Sequence, residues 1–105
     1  MRFVNDSKAT NTNAAARALA TYDNVYWIAG GRAKSDGLRA TQPYFQRIAH
    51  AFLIGEAEQT LAAELDGRVD HRLCGNLDAA LDAAAAQARA DGRPGAVVLF
   101  SPACA

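Results

Sequence analysis

LDAALDAAAAQARADGRPGAVVLF, residues 77–100, contains a helix, a stop and a strand in succession. Leu77, Ala80, Leu81, Ala84 and Ala88 recur at the three- and four-residue spacing of one helix face. Asn76 stands where an N-cap belongs, and Asp78 lies in the first turn, where the helix dipole favours a negative charge. The spacing therefore predicts a helix from Leu77 to Ala90, with the Ala83–Ala86 run as helix filler. Asp91-Gly92-Arg93-Pro94-Gly95 stops it and turns the chain. Ala96-Val97-Val98-Leu99-Phe100 is apolar throughout, as a strand buried on both faces must be.

The same alternation runs through the rest of the chain. Phe3-Val4 reads as a short strand end. Asn24 to Ala29 is β-branched and aromatic and precedes Gly30-Gly31, and His50 to Gly55 reads the same way. Arg68 to Leu73 alternates Val69, His71 and Leu73 against Arg68, Asp70 and Arg72, the pattern of a half-exposed strand nearer an edge. Helices are predicted from about Asn13 to Tyr22, with Ala15, Ala18, Leu19 and Tyr22 on one face, and from Glu56 to Leu65, with Ala57, Leu61 and Leu65 four apart. No internal repeat is present. Strand–helix alternation with near-continuous apolar strands implies an α/β domain: a mostly parallel sheet with helices on both faces.

The chain has 105 residues, half of them hydrophobic, which suits one packed domain. Eleven basic residues balance eleven acidic ones, so nucleic acid and anionic membrane are not expected as main partners. No run approaches the length of a spanning helix, and the polar start Asn5-Asp6 is unlike a signal peptide. A cytoplasmic location is the default expectation. Cys74 and Cys104 fit no metal spacing and read as buried or half-buried free thiols. His50 and His71 sit in strands without an accompanying carboxylate or serine pattern, and read as structural.

Ligands of parallel sheets bind beyond the carboxyl ends of the strands. That directs attention to the loops after Val4, Ala29 and Phe100. The first, Asn5 to Asn13, crowds hydroxyls, amides, Asp6 and Lys8 before a helix start, where backbone N–H groups suit a phosphate or carboxylate. It reads equally as a polar capping loop. The second, Gly30 to Gly37, misses the phosphate-loop pattern at Ile28 and Ala33, leaving Arg32 and Lys34 to meet an anion or simply solvent. The third, Ser101-Pro102-Ala103-Cys104-Ala105, is small enough to admit a ligand, or to be an ordinary strand exit.

Taken together, Asn5-Asp6-Ser7-Lys8-Ala9-Thr10-Asn11, then Trp27-Ile28-Ala29-Gly30-Gly31 with Lys34, then Leu99-Phe100-Ser101-Pro102-Ala103-Cys104-Ala105 resemble the D-glutamate-adding members of the Mur ligase family. The likeness covers essentially the whole chain, and the first motif is its most specific part. It implies that residues 1–105 form a three-layer Rossmann-like domain, the C-terminal, amino-acid-binding part of a three-domain ligase. The UDP-sugar domain and the central ATPase domain would lie outside this chain, along with the phosphate loop, the carbamylated lysine and the magnesium ligands. The implied reaction uses ATP and Mg2+ to phosphorylate UDP-N-acetylmuramoyl-L-alanine; the amine of D-glutamate then attacks the acyl phosphate, in peptidoglycan precursor synthesis. Packing against the central domain of the same protein would complete the site, and the domain alone would be inactive.

The resemblance also implies residue roles. Thr10 and Lys34 match the pair that holds the D-glutamate carboxylates. Lys8 matches a catalytic residue on the phosphate side that also contacts the nucleotide. Asp6 matches a nucleotide contact at the ribose; Ser7 and Asn11 take loop-shaping roles. No metal ligand is expected in this domain. In the family the third motif continues into a serine that binds D-glutamate, and a strand continues into the position of Met1; an excised domain, truncated at its C-terminal end, is the simplest expectation. Two other readings stay open: a Mur ligase adding a different amino acid, and a stand-alone Rossmann-like module for a small acidic metabolite.

Overall fold

The computed structural model describes residues 1–8, 10–32 and 38–104. Along the chain come β1 (Arg2–Asn5), α1 (Thr12–Thr21), β2 (Val25–Gly30), a 3-10 helix (Arg39–Arg47), β3 (Ile48–Ile54), α2 (Glu58–Leu65), β4 (His71–Gly75), α3 (Leu77–Asp91) and β5 (Val97–Phe100). The described strands form one parallel sheet in the order β1-β5-β2-β3-β4. The expected α/β architecture, a parallel sheet between helical layers, is what forms.

Strand alternation divides the core in two. Val25, Trp27, Ala29, Ala51, Leu53, Val97 and Leu99 face α1, α2 and the 3-10 helix. Tyr26, Ile28, Phe52 and Val98 face the small residues Ala80, Ala84 and Ala88 of α3. The alanine stripe lets α3 lie close against the sheet, and its deep positions are the ones the helical spacing predicts. The helix ends follow their local chemistry. Asn76 Oδ1 accepts from Ala79 N at 2.9 Å, and Gly92 closes α3 in the left-handed region at φ 62°. Asn11 caps α1 in the same way, accepting from Ala14 N.

Two stretches differ from expectation or carry no periodicity. The fourth strand begins at His71 rather than Arg68. The amides of Arg68 and Val69 both donate to Leu65 O, so these residues wrap the end of α2, and Val69 is buried in a turn. β4 is an edge strand, as the alternation suggested, and Leu73 on it is 47% exposed. Arg39–Arg47 has Pro43 inside it and coils as a 3-10 helix. Its start is pinned by Thr41, whose amide and hydroxyl both donate to Leu38 O, and it buries Leu38, Thr41 and Phe45.

Shifted ionisable groups sit away from the carboxyl ends of β1, β5 and β2. Burial, then the hydrogen bond its hydroxyl donates to Asp91 at 2.6 Å, pushes Tyr26 up to about 12. Burial lowers His50, whose ring lies 4.7 Å from that of Phe52, against an opposing pull from Asp70 and Asp91. His71 Nδ1 lies 2.9 Å from Val69 O. Among the described residues neither cysteine is in a disulfide; Cys104 is buried, and Cys74 is half-buried with its thiol raised by burial.

Candidate functional site

The chain leaves β1 on one face of the sheet through α1 and comes back to β5 on the other through α3. Because β5 inserts between β1 and β2, the three loops of interest leave adjacent strands. Open α/β sheets hold ligands at such reversals of strand order. Asn5 to Lys8, the Gly30–Gly31 turn and Ser101–Cys104 are thus gathered at one end of the sheet.

Backbone bonds stitch the three together. Asp6 N donates to Phe100 O at 2.7 Å, Ser101 N to Ile28 O at 3.2 Å, and Gly30 N to Pro102 O at 2.9 Å. Gly31 O accepts from Ala57 N at 2.8 Å, which ties the second loop to the start of α2. Gly30 and Gly31 have φ of 143° and 142°, a region that other residues seldom occupy. Ser101, Pro102, Ala103 and Cys104 are all buried, so the third loop is packed into the domain rather than being a solvated exit.

The first loop supplies the side chains. Ser7 N donates to Asn5 Oδ1 at 3.0 Å, an Asx turn that shapes the loop as it leaves β1. Thr10 N donates to Lys8 O at 2.8 Å, bringing the chain around to the Asn11 cap. Asp6 is half-buried, whereas Lys8 and Thr10 are exposed. Asp6 and Lys8 line an open groove of about 480 Å3 between β1 and α1, together with Tyr22 and Arg17. Asp6 and Lys8 thus share one groove, while Thr10 is tied to Lys8 through the backbone and does not line it. Lys34, with Ala33 to Gly37, lies outside the described residues, as do Ala9 and Ala105.

Two further side chains lie here to which the sequence alone assigns no individual role. Arg17 lines the same groove from α1. Its only sequence signal is a cation on a helix that starts at the first motif. Ser101 donates through its hydroxyl to Asp6 Oδ2 at 3.3 Å, across a separation of 95 residues. Among the described residues no group of three or more His, Cys, Asp or Glu side chains is disposed to hold a metal ion. No helix among them is long and apolar enough to cross a membrane.

The chain matches the family described as "Mur ligase, glutamate ligase domain" over residues 1–104. It is 55% identical over 103 residues to a protein of Paramagnetospirillum magneticum named UDP-N-acetylmuramoylalanine--D-glutamate ligase, covering 98% of this chain and 22% of the relative. A protein of the same name from Nitrobacter winogradskyi is 53% identical over 103 residues, with the same 98% and 22% coverage. One from Rhodospirillum rubrum is 50% identical over 105 residues, covering 100% of this chain and 22% of the relative. The chain thus spans 22% of the length of these relatives.

Proposed function

Because the chain belongs to the Mur ligase family, through its glutamate ligase domain, we propose that it is the amino-acid-binding part of a longer cytoplasmic, ATP-dependent ligase that joins D-glutamate to UDP-N-acetylmuramoyl-L-alanine. The carrying observation is the convergence of the Asp6–Lys8, Gly30–Gly31 and Ser101–Cys104 segments on three neighbouring strand ends. Relatives of half-identical sequence or better bear the name of that reaction. In this reading the UDP-sugar, the ATP phosphates and Mg2+ are held chiefly by the remainder of the full-length protein, which packs over the groove beside Asp6 and Lys8. The metal supplies charge neutralisation to the phosphates there.

The residue roles follow from charge and position. D-glutamate is a dianion when its amine is neutral, so its carboxylates need cations and N–H donors. Thr10 stands next to the capped start of α1, where the helix dipole and hydroxyl favour a carboxylate. Lys34, on the loop after the Gly30–Gly31 turn, provides a compact positive charge for the other. Holding both carboxylates aims the amine at the acyl phosphate, which raises its effective concentration. Attack forms the tetrahedral intermediate, the amine loses a proton, and inorganic phosphate departs. Lys8 offsets the charge on the phosphate as it is transferred and expelled. Asp6 accepts from the hydroxyls of the nucleotide ribose.

In the full-length protein, Lys34→Ala is expected to raise the KM for D-glutamate about ten- to a hundredfold, the range for losing a hydrogen bond to a charged group. The KM for ATP is expected to stay nearly constant. Steady-state kinetics with each substrate varied in turn makes the test, and an unchanged D-glutamate KM removes Lys34 from the pocket. The 105-residue chain by itself is expected to release no phosphate from ATP. Release above a buffer blank that disappears in Lys8→Ala would contradict the assignment of ATP chemistry to the rest of the protein.

A further inference from the structure

We infer that Ser101 is a positioning residue for Asp6, fixing the carboxylate that meets the nucleotide. The inference rests on the nucleotide role proposed above for Asp6. Ser101 has no exposed surface, and each of its polar groups is engaged. Its amide donates to Ile28 O at 3.2 Å, and its carbonyl accepts from the buried Trp27 Nε1 at 2.8 Å. Among the described residues its hydroxyl has one partner, Asp6 Oδ2, at 3.3 Å. The neighbouring Pro102, Ala103 and Cys104 are small and buried, so space alone would accept alanine at this position. Burying a hydroxyl is unfavourable unless it is hydrogen-bonded. The consequence of that bond is orientation of Asp6.

Asp6 is then held twice. Its amide is fixed to Phe100 O at 2.7 Å and its Oδ2 to Ser101. One carboxylate oxygen is spoken for by the protein, which leaves Oδ1 and the second lone pair of Oδ2 for hydroxyls arriving from the groove. Without Ser101 Oγ the side chain regains its rotamers and must be ordered again each time the nucleotide binds. The loss should therefore appear in nucleotide affinity and leave amino-acid binding alone.

The test uses the full-length protein with Ser101→Ala, Ser101→Thr, Asp6→Ala and the Ser101→Ala/Asp6→Ala pair. Ser101→Ala is expected to raise the KM for ATP about three- to tenfold, the scale of one net hydrogen bond. The KM for D-glutamate and kcat should remain within about twofold. The threonine variant keeps the hydroxyl and should recover most of the ATP effect. Asp6→Ala should raise the ATP KM at least as far, and the double variant should match Asp6→Ala, because a residue acting through another adds nothing once that other is gone. A raised ATP KM in Asp6→Ala beside an unchanged one in Ser101→Ala overturns the positioning role alone. An unchanged ATP KM in Asp6→Ala overturns the nucleotide role of Asp6, and the role of Ser101 with it. Multiplying effects in the double variant, or equal rises in both KM values with a lowered melting temperature, mark Ser101 as structural and also overturn the proposal.

Discussion

Lys8→Ala in the full-length protein is expected to lower kcat at least about a hundredfold, the loss seen when one preorganised electrostatic stabiliser is removed. The expectation follows from where the lysine stands. It leaves the carboxyl end of β1, turns with its carbonyl accepting from Thr10 N, and lines the groove beside Asp6. Its charge matters most while phosphate is being transferred or expelled, since the negative charge on the transferring group is then changing. The KM for D-glutamate should move little, because Thr10 and Lys34 hold that substrate in the proposed division of labour. An exposed loop lysine contributes little to the core, so the fold should survive. Lys8→Arg should rescue poorly, because a planar guanidinium does not occupy the point of a compact ammonium. A raised D-glutamate KM with kcat intact would move Lys8 into the amino-acid pocket and reverse the assignment of the first and second loops.

Gly30→Ala carries the largest expected cost to stability. Gly30 ends β2 at φ 143°, and a Cβ built there would lie 1.9 Å from Ile54 O and 2.8 Å from Ile54 C. These are backbone atoms of the adjacent strand β3, so no rotamer change relieves the clash. Gly30 also donates to Pro102 O and pairs in register with Ile54. Moving it would separate β2 from β3 and lift the second loop from the third. Overpacking and a disfavoured backbone region together should cost about 3 kcal/mol or more. For a domain of this size that corresponds to a fall in melting temperature on the order of 10–20 °C. Gly92→Ala is the control: its φ is also positive, but nothing lies within 4 Å of the added Cβ. Its cost should be only about 1 kcal/mol. Equal melting temperatures for the two variants would show that β3 yields at Ile54 and that close approach is not what requires glycine at position 30.

Local spacing carried much of the fold. The helical face of Leu77 to Ala88, its Asn76 cap and its Gly92 stop are all nearest-neighbour features, and each recurs in the structure. The apolar runs around Val25–Ala29, Ala51–Leu53 and Val97–Phe100 could satisfy their backbone groups and still lose water only inside a covered parallel sheet. The first motif is legible in the sequence itself as polar chemistry at a strand exit. Local pattern failed where tertiary contacts outweighed it: Val69 went into a turn beneath α2, and the proline-containing stretch before β3 coiled around buried Leu38, Thr41 and Phe45. Strand order belongs to the same class. Nothing in residues 97–100 says that they lie between β1 and β2, yet that insertion alone brings Ser101 to Asp6, 95 residues away. Periodicity reports which side of a segment avoids water, a property of a few consecutive residues. Which segments become neighbours depends on crossover handedness and on the packing of both sheet faces at once, and so is decided only when the whole chain has closed.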